Sequence, residues 1–377
     1  MSEVRVFAGI AATNPSLYRR LRVALGDPAA WIEIGDRRIA LVRDLEMDRV
    51  KTQSGCDQIC CPADYEPEGG LDADRATATA QALAELLRRE GHHTVDADRT
   101  FPLIFTSSLG HAGIEVRYDS DLGVLDRRQK SEQEIEFLAE AQAVTEEVMK
   151  RTCGLIANAK AGSDGILVAD GAPLTSERVR AFAANEFLER DYAMSHGAIV
   201  ATAPEVADCH HSGSGPLRTG VPVIVDLFPM NNRTRYWGDC TRTVVNGEAS
   251  DTVRKMHAAV VAAKAAATAK LTIGSTGDAV HKATEESQVK DGFEVSRGTL
   301  TDHPSIQHGT GHGIGLEVHE PILLDHGGGE LLENEVFTIE PGLYGRVDGG
   351  VRVEDMLVVR DGEPQNLNRL PEGLDWR

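Results

Sequence analysis

Twice in its second half this chain runs an apolar, strand-like segment straight into a carboxylate, and a second carboxylate follows after a similar interval. Pro222-Val-Ile-Val-Asp226 leads, 13 residues later, to Asp239, and Glu335-Val-Phe-Thr-Ile-Glu340 leads, 14 residues later, to Glu354. Read as strand, carboxylate, turn, strand, carboxylate, the two stretches predict two hairpins in a pseudo-symmetric sheet with acidic groups between them. A lone Asp at a strand end is usually a turn former or a cap. A lone Glu in Thr-Ile-Glu-Pro would be solvated before a turn. Carboxylates that interrupt apolar runs, as Asp226, Glu340 and Glu354 do, are another matter, because buried carboxylates without partners are costly. A shared cation removes that cost.

A fifth donor is His312, in Gly-His-Gly-Ile-Gly-Leu-Glu-Val-His-Glu (311–320). Carboxylate oxygens are hard donors that can bind one metal or bridge two, and an imidazole beside them suits Mn²⁺, Co²⁺, Fe²⁺ or Zn²⁺ better than a thiolate-preferring ion. Two divalent cations would balance the set. Two metals held ~3.5–4 Å apart can share a hydroxide, which makes water a nucleophile near neutral pH, so no serine or cysteine nucleophile is required. The glycines flanking His312 are read as room for substrate and metals to approach closely. The chemistry implied is metal-dependent hydrolysis.

Composition narrows the partners. A formal charge of −20 argues against a nucleic-acid partner, since phosphate binding needs a basic surface. No stretch reaches the ~20 apolar residues that cross a bilayer, and Met-Ser-Glu-Val-Arg-Val-Phe-Ala lacks the layout of a signal peptide. The expected location is the cytoplasm. Six thinly spread cysteines do not suggest a disulfide framework there. Cys56, Cys60 and Cys61 lack a second pair at zinc-finger spacing. Strand alternation should turn Cys240 away from its neighbour Asp239, buried and inert.

At 377 residues two domains are expected. The first reads as mixed α/β: two strands around a Gly-Asp turn within 31–42, a helix over 74–90 stopped at Gly91, and strands at 94–95 and 113–118. After the charged link 126–130, Ser131-Glu-Gln-Glu134 forms a capping-box pattern, and Ile135, Leu138, Ala141, Val144 and Val148 recur at helical spacing. The boundary is therefore set at 130, giving domains 1–130 and 131–377. Helices near 176–190, 252–270 and 276–287 and strands at 197–202, 221–228 and 239–245 follow.

The ordered set of Asp226, Asp239-Cys-Thr-Arg-Thr, the His312 segment, Thr338-Ile-Glu-Pro-Gly-Leu-Tyr344 and Val351-Arg-Val-Glu-Asp355 resembles the pita-bread metallopeptidases. That group includes aminopeptidase P, prolidase, methionine aminopeptidase and creatinase. The resemblance covers roughly 131–377. Residues 1–130 resemble the creatinase-type N-terminal domain in size, pattern and position, which points to the aminopeptidase P and prolidase branch. It implies an α+β fold, a pita-bread catalytic domain with a smaller α/β N-terminal domain. It also implies hydrolysis of Xaa-Pro bonds, as an Xaa-Pro aminopeptidase or dipeptidase acting through a metal-bridging hydroxide.

Carried over residue by residue, the resemblance has Asp226 chelate one metal and Asp239 bridge both. His312 and Glu340 bind the second metal, and Glu354 completes the bridge. Glu340 also handles the proton of the bridging water. His210 faces the scissile bond in preference to His211, His319 contacts the substrate carbonyl, and His308 and Arg352 belong to the substrate pocket. Two divalent ions are implied, manganese first, with a homodimer as the assembly. The substrate implied is a peptide with proline in second position.

One departure stands out. The family usually has a small residue two positions after the first Asp and 11 residues between the two Asp ligands, whereas here Phe228 holds the position and the interval is 13. Phe228 should lie along the substrate pocket if the strand stays regular. Two other readings are a non-peptidase member of the same fold, such as a creatinase-like enzyme, and a catalytically inactive peptide-binding module. The intact ligand set counts against both.

Overall fold

A computed structural model describes residues 3–377, which form two compact units that divide between Arg127 and Arg128. The first is built on a six-stranded sheet, in spatial order Gln58–Cys60, Arg37–Leu41, Pro28–Ile34, Val4–Ile10, Thr94–Ala97 and Glu115–Tyr118. The strand pair around Gly35-Asp36 is as expected, pairing Ile34 with Arg37. The helix Arg75–Arg89 starts at Asp74, whose side chain accepts from the Thr77 N–H, and the chain leaves it through Gly91 at φ +77°. Two of the elements that the sequence reading passed over frame the core of this unit. Val4–Ile10 is a central strand whose Val4, Val6 and Ala8 point into the core. Leu103–His111 is a helix that begins at Pro102 with no side-chain cap.

In the second unit the capping box is formed. The Glu134 N–H reaches Ser131 Oγ at 3.3 Å and the Ser131 N–H reaches Glu134 Oε2 at 2.9 Å. The helix it opens, Glu132–Ala157, buries Ala141, Val148, Met149, Cys153 and Ile156 against one face of a three-stranded antiparallel sheet. That sheet is Ala198–Ala201, Pro222–Leu227 and Cys240–Val245. Strand alternation sorts its side chains. Val223, Val225, Leu227, Cys240 and Val244 pack towards the helix, while Ile224 and Phe228 lie with Ile199, Ala201 and Tyr344 in a separate cluster. Cys240 is accordingly buried beneath the sheet, and burial pushes its thiol far up.

The second carboxylate stretch is less simple than a hairpin. Val336–Ile339 does pair antiparallel with Asp355–Val358, joining Ile339 to Asp355, within a five-stranded sheet that also holds Gly311–Gly313. Between them, however, the chain leaves that sheet. Gly342–Gly345 and Gly349–Arg352 pair with each other in a different, four-stranded sheet. Glu340 and Glu354 thus lie at the same end of one strand pair, as do Asp226 and Asp239, but the connection between them is a hairpin of its own. The helix Asp251–Thr268 covers this region, packing Val253, Met256 and Val260 with Leu343, Val351 and Val353.

Candidate metal centre

All ten sequence-predicted site residues line one cavity of about 440 Å³: Asp226, Phe228, Asp239, His210, His308, His312, His319, Glu340, Arg352 and Glu354. Asp239, His312 and Glu354 present donor atoms within 4.8 Å of one another. His211, the neighbour set aside in favour of His210, does not line the cavity, and its Nδ1 accepts the Gly213 N–H at 3.0 Å.

The glycines beside His312 serve strand packing, where the sequence reading assigned them to substrate access. A Cβ on Gly311 would collide with the Thr338 carbonyl oxygen, and one on Gly313 would meet the Glu320 carbonyl oxygen at 2.8 Å. Close approach is indeed required at both positions, but of neighbouring backbone.

Each donor is held by its own neighbours. The His312 Nδ1–H donates to the Gly313 carbonyl at 3.1 Å, which leaves the Nε2 lone pair facing Glu340 Oε1 at 3.4 Å and Asp239 Oδ2 at 3.8 Å. Thr338 Oγ1 donates to Glu340 Oε1 at 3.3 Å, and Thr241 Oγ1 donates to Glu354 Oε2 at 2.7 Å. The backbone of Asp239 is clamped by Gln142, which accepts its N–H at 2.8 Å and donates to its carbonyl at 2.7 Å. Arg352 donates to Asp226 Oδ2 at 2.7 Å, to Thr241 Oγ1 at 3.1 Å and to the Tyr344 hydroxyl at 2.9 Å.

One guanidinium does not balance this pocket. Burial, then repulsion from Glu354, Asp226 and Glu340, holds the Asp239 carboxyl well above its usual range. Burial, then Glu340 and Asp226, does the same to Glu354, and burial pushes Glu340 up to about 7. Like charges ~4 Å apart repel by about 4 kcal/mol at an effective dielectric of 20. Asp226 Oδ1 is buried with no hydrogen-bond partner. An imidazole lone pair aimed at carboxylates and an orphaned carboxylate oxygen fit divalent cations, in a donor set of hard oxygens and one nitrogen.

The histidines differ in setting. The His308 Nδ1–H donates to the Gly309 carbonyl at 2.7 Å, and its Nε2 accepts from the Tyr344 hydroxyl at 2.6 Å. Burial and the nearby Arg352 push His308 down to about 3. The His319 ring lies edge-on to His312, with centroids 4.3 Å apart. The sequence reading missed Tyr344, which links His308 to Arg352 although it ends a motif quoted for Glu340. It also missed His196, a cavity-lining residue stacked on Trp237 at 5.0 Å, which no sequence pattern marked.

Phe228 lines the cavity and packs beside Ile199 and Ile224. The longer Asp226–Asp239 segment turns back through Met230–Asn231, with the Asn231 N–H donating to the Tyr236 carbonyl at 3.0 Å. Trp237 then ties it down, donating through Nε1 to the Leu316 carbonyl at 3.1 Å.

Among solved structures, the X-Pro aminopeptidase of Thermotoga maritima superposes with a TM-score of 0.80, covering 99% of this chain and 97% of that one at 22% identity, a likeness of fold. An uncharacterized peptidase of Bacillus subtilis, YqhT, is 34% identical over 140 residues, 37% of either chain. The Xaa-Pro dipeptidase of Pyrococcus furiosus is 30% identical over 159 residues, 42% of either chain. The chain thus spans less than half the length of these two relatives. Among the described residues, no helix is long and apolar enough to cross a membrane. The model of metallopeptidase family M24 matches residues 136–361, and the chain belongs to that family.

Proposed function

We propose that this chain is a dinuclear metallopeptidase that hydrolyses Xaa-Pro bonds. The observation that carries the reading is the convergence of four carboxylates and the His312 Nε2 on one cavity, with Asp226 Oδ1 left unpartnered. Asp226 and Asp239 would hold one ion, His312 and Glu340 the other, with Asp239 and Glu354 shared between them. When bound, the two ions supply the Lewis acidity that activates water and polarises a carbonyl. Manganese is the first choice, and a homodimer the assembly.

The chain's own groups do the rest. Glu340 takes a proton from the attacking water, and His319 and His210 face the substrate carbonyl and the scissile nitrogen. A proline-linked amide has no N–H, so peptidases that rely on that hydrogen bond handle it poorly. A site that reads the ring by shape and protonates the leaving nitrogen does not need it. The Xaa-Pro dipeptidase and X-Pro aminopeptidase activities for which the Pyrococcus furiosus and Thermotoga maritima proteins are named support this substrate class.

The test is hydrolysis by metal-reconstituted protein of Xaa-Pro dipeptides, Xaa-Pro-Yaa peptides and matched Xaa-Ala controls. Turnover of proline substrates, abolished by chelation, is expected. Equal turnover of the alanine controls, or none of any peptide, would overturn the assignment.

A further inference from the structure

We propose that a second, separate divalent-cation site of zinc type is formed by His281, Glu285 and His326, with Asp325 at its fourth corner. It lies on the helix Gly277–Lys290 and on the segment after the strand Glu320–Leu324. None of its residues lines the cavity of the metal centre.

The spacing of the donors suits a single ion. His281 and Glu285 stand one helical turn apart and so share a face. Donor atoms of His281, Glu285 and His326 all fall within 4.8 Å of one another. His281 Nε2 lies 3.3 Å from Glu285 Oε1 and 3.5 Å from Asp325 Oδ1, and His326 Nε2 lies 3.2 Å from Glu285 Oε2. A tetrahedral ion with bonds of ~2.0–2.1 Å separates its ligand atoms by roughly 3.3 Å.

The hydrogen bonds fix which atoms face inward. Thr310 Oγ1 gives its proton to Thr284 Oγ1 at 2.8 Å, so at 3.0 Å it must accept from the His281 Nδ1–H. That leaves a lone pair on Nε2 of a fully buried ring, pointed at two carboxylates that can only accept. Glu285 Oε1 is itself buried without a hydrogen-bond partner. The same arrangement occurs at His312, where a carbonyl holds Nδ1 and Nε2 faces acidic oxygens. Arg297 donates to Asp325 Oδ1 and, through a long bond of 3.5 Å, to the His281 Nε2 lone pair, and its side chain is 36% exposed, so an incoming ion can displace it from Nε2. It neutralises Asp325 without serving Glu285. His326, about half exposed, gives an ion a way in from solvent.

The consequence is support for the main centre. Thr310 accepts from the Glu340 N–H through its carbonyl at 2.8 Å, and its hydroxyl rests on His281. An ion here braces the segment that carries His308 and His312 without touching substrate.

The experiment counts bound zinc by elemental analysis after loading and exhaustive dialysis. His326→Ala, at an accessible position, should lose one ion per chain relative to the unaltered protein while the ions of the main centre stay bound. In a Glu354→Ala background, whose main centre is crippled, the residual ion should disappear when His326→Ala is added. Glu285→Gln is a second probe that keeps the shape of the side chain and should lose the same ion. An unchanged zinc count in either His326→Ala or Glu285→Gln would overturn the site. Because the count does not depend on turnover of any peptide, failure of the substrate assignment would leave this result standing.

Discussion

The two carboxylate-bearing strand pairs share a plan and differ in what their connections carry. In the first, Pro222–Leu227 pairs directly with Cys240–Val245, and the intervening loop brings Phe228 to the cavity and Trp237 against His196. In the second, Val336–Ile339 pairs with Asp355–Val358, but the connection folds into a hairpin that brings Tyr344 and Arg352. One loop furnishes an apolar wall. The other furnishes a cation that holds Asp226 of the opposite pair. Equivalent strand pairs thus supply the acidic groups, and the connections make the two sides of the pocket chemically unequal.

The strongest way to break this comparison is to remove one shared acid from each pair. Asp239→Ala and Glu354→Ala should each release metal and lower kcat by at least about 10⁴-fold, as expected when one member of a unit acting together is lost. Elemental analysis beside steady-state kinetics checks both. If one variant keeps full metal and turnover, the two pairs do not contribute alike.

Next come the histidines outside the strand pairs. His210→Ala and His319→Ala should lower kcat and kcat/KM in parallel by roughly 10²–10³-fold with metal content near normal. A rise in KM alone would make them binding residues.

The connections can then be set against each other. Arg352→Lys keeps a charge but loses the fork that reaches Asp226, Thr241 and Tyr344 together, so metal affinity should fall about 10–100-fold. Phe228→Gly should leave the metals in place and shift preference between small and bulky residues before proline by about 10-fold, the scale set by a few methylenes. If Phe228→Gly instead released metal, the division between an apolar wall and a cationic clamp would fail.

Much of this was legible in the sequence because acidic residues that end apolar strands are conspicuous. Asp226, Glu340 and Glu354 stood out on that ground, Asp239 by the echoed interval that leads to it, and Ser131 marked its helix by its capping pattern. Intervals of 13 and 14 residues look alike, however, and do not reveal that the second connection leaves its sheet. That choice depends on pairing between Gly345 and Gly349, and on Gly350 fitting against Val206 and Ile224, which are distant in sequence. Tyr344 was hidden for the same reason, since its partners His308 and Arg352 meet it only in the fold. The central strand Val4–Ile10 was hidden because Arg5, Ala8 and Gly9 dilute its β-branched and aromatic pattern.

The most direct test of the account is anomalous diffraction from crystals of manganese-loaded protein, collected at the manganese edge. The account predicts two peaks ~3.5–4 Å apart between the strand pairs, one beside Asp226 and the other beside His312 and Glu340, with Asp239 and Glu354 touching both. A single peak there, or none, would contradict it.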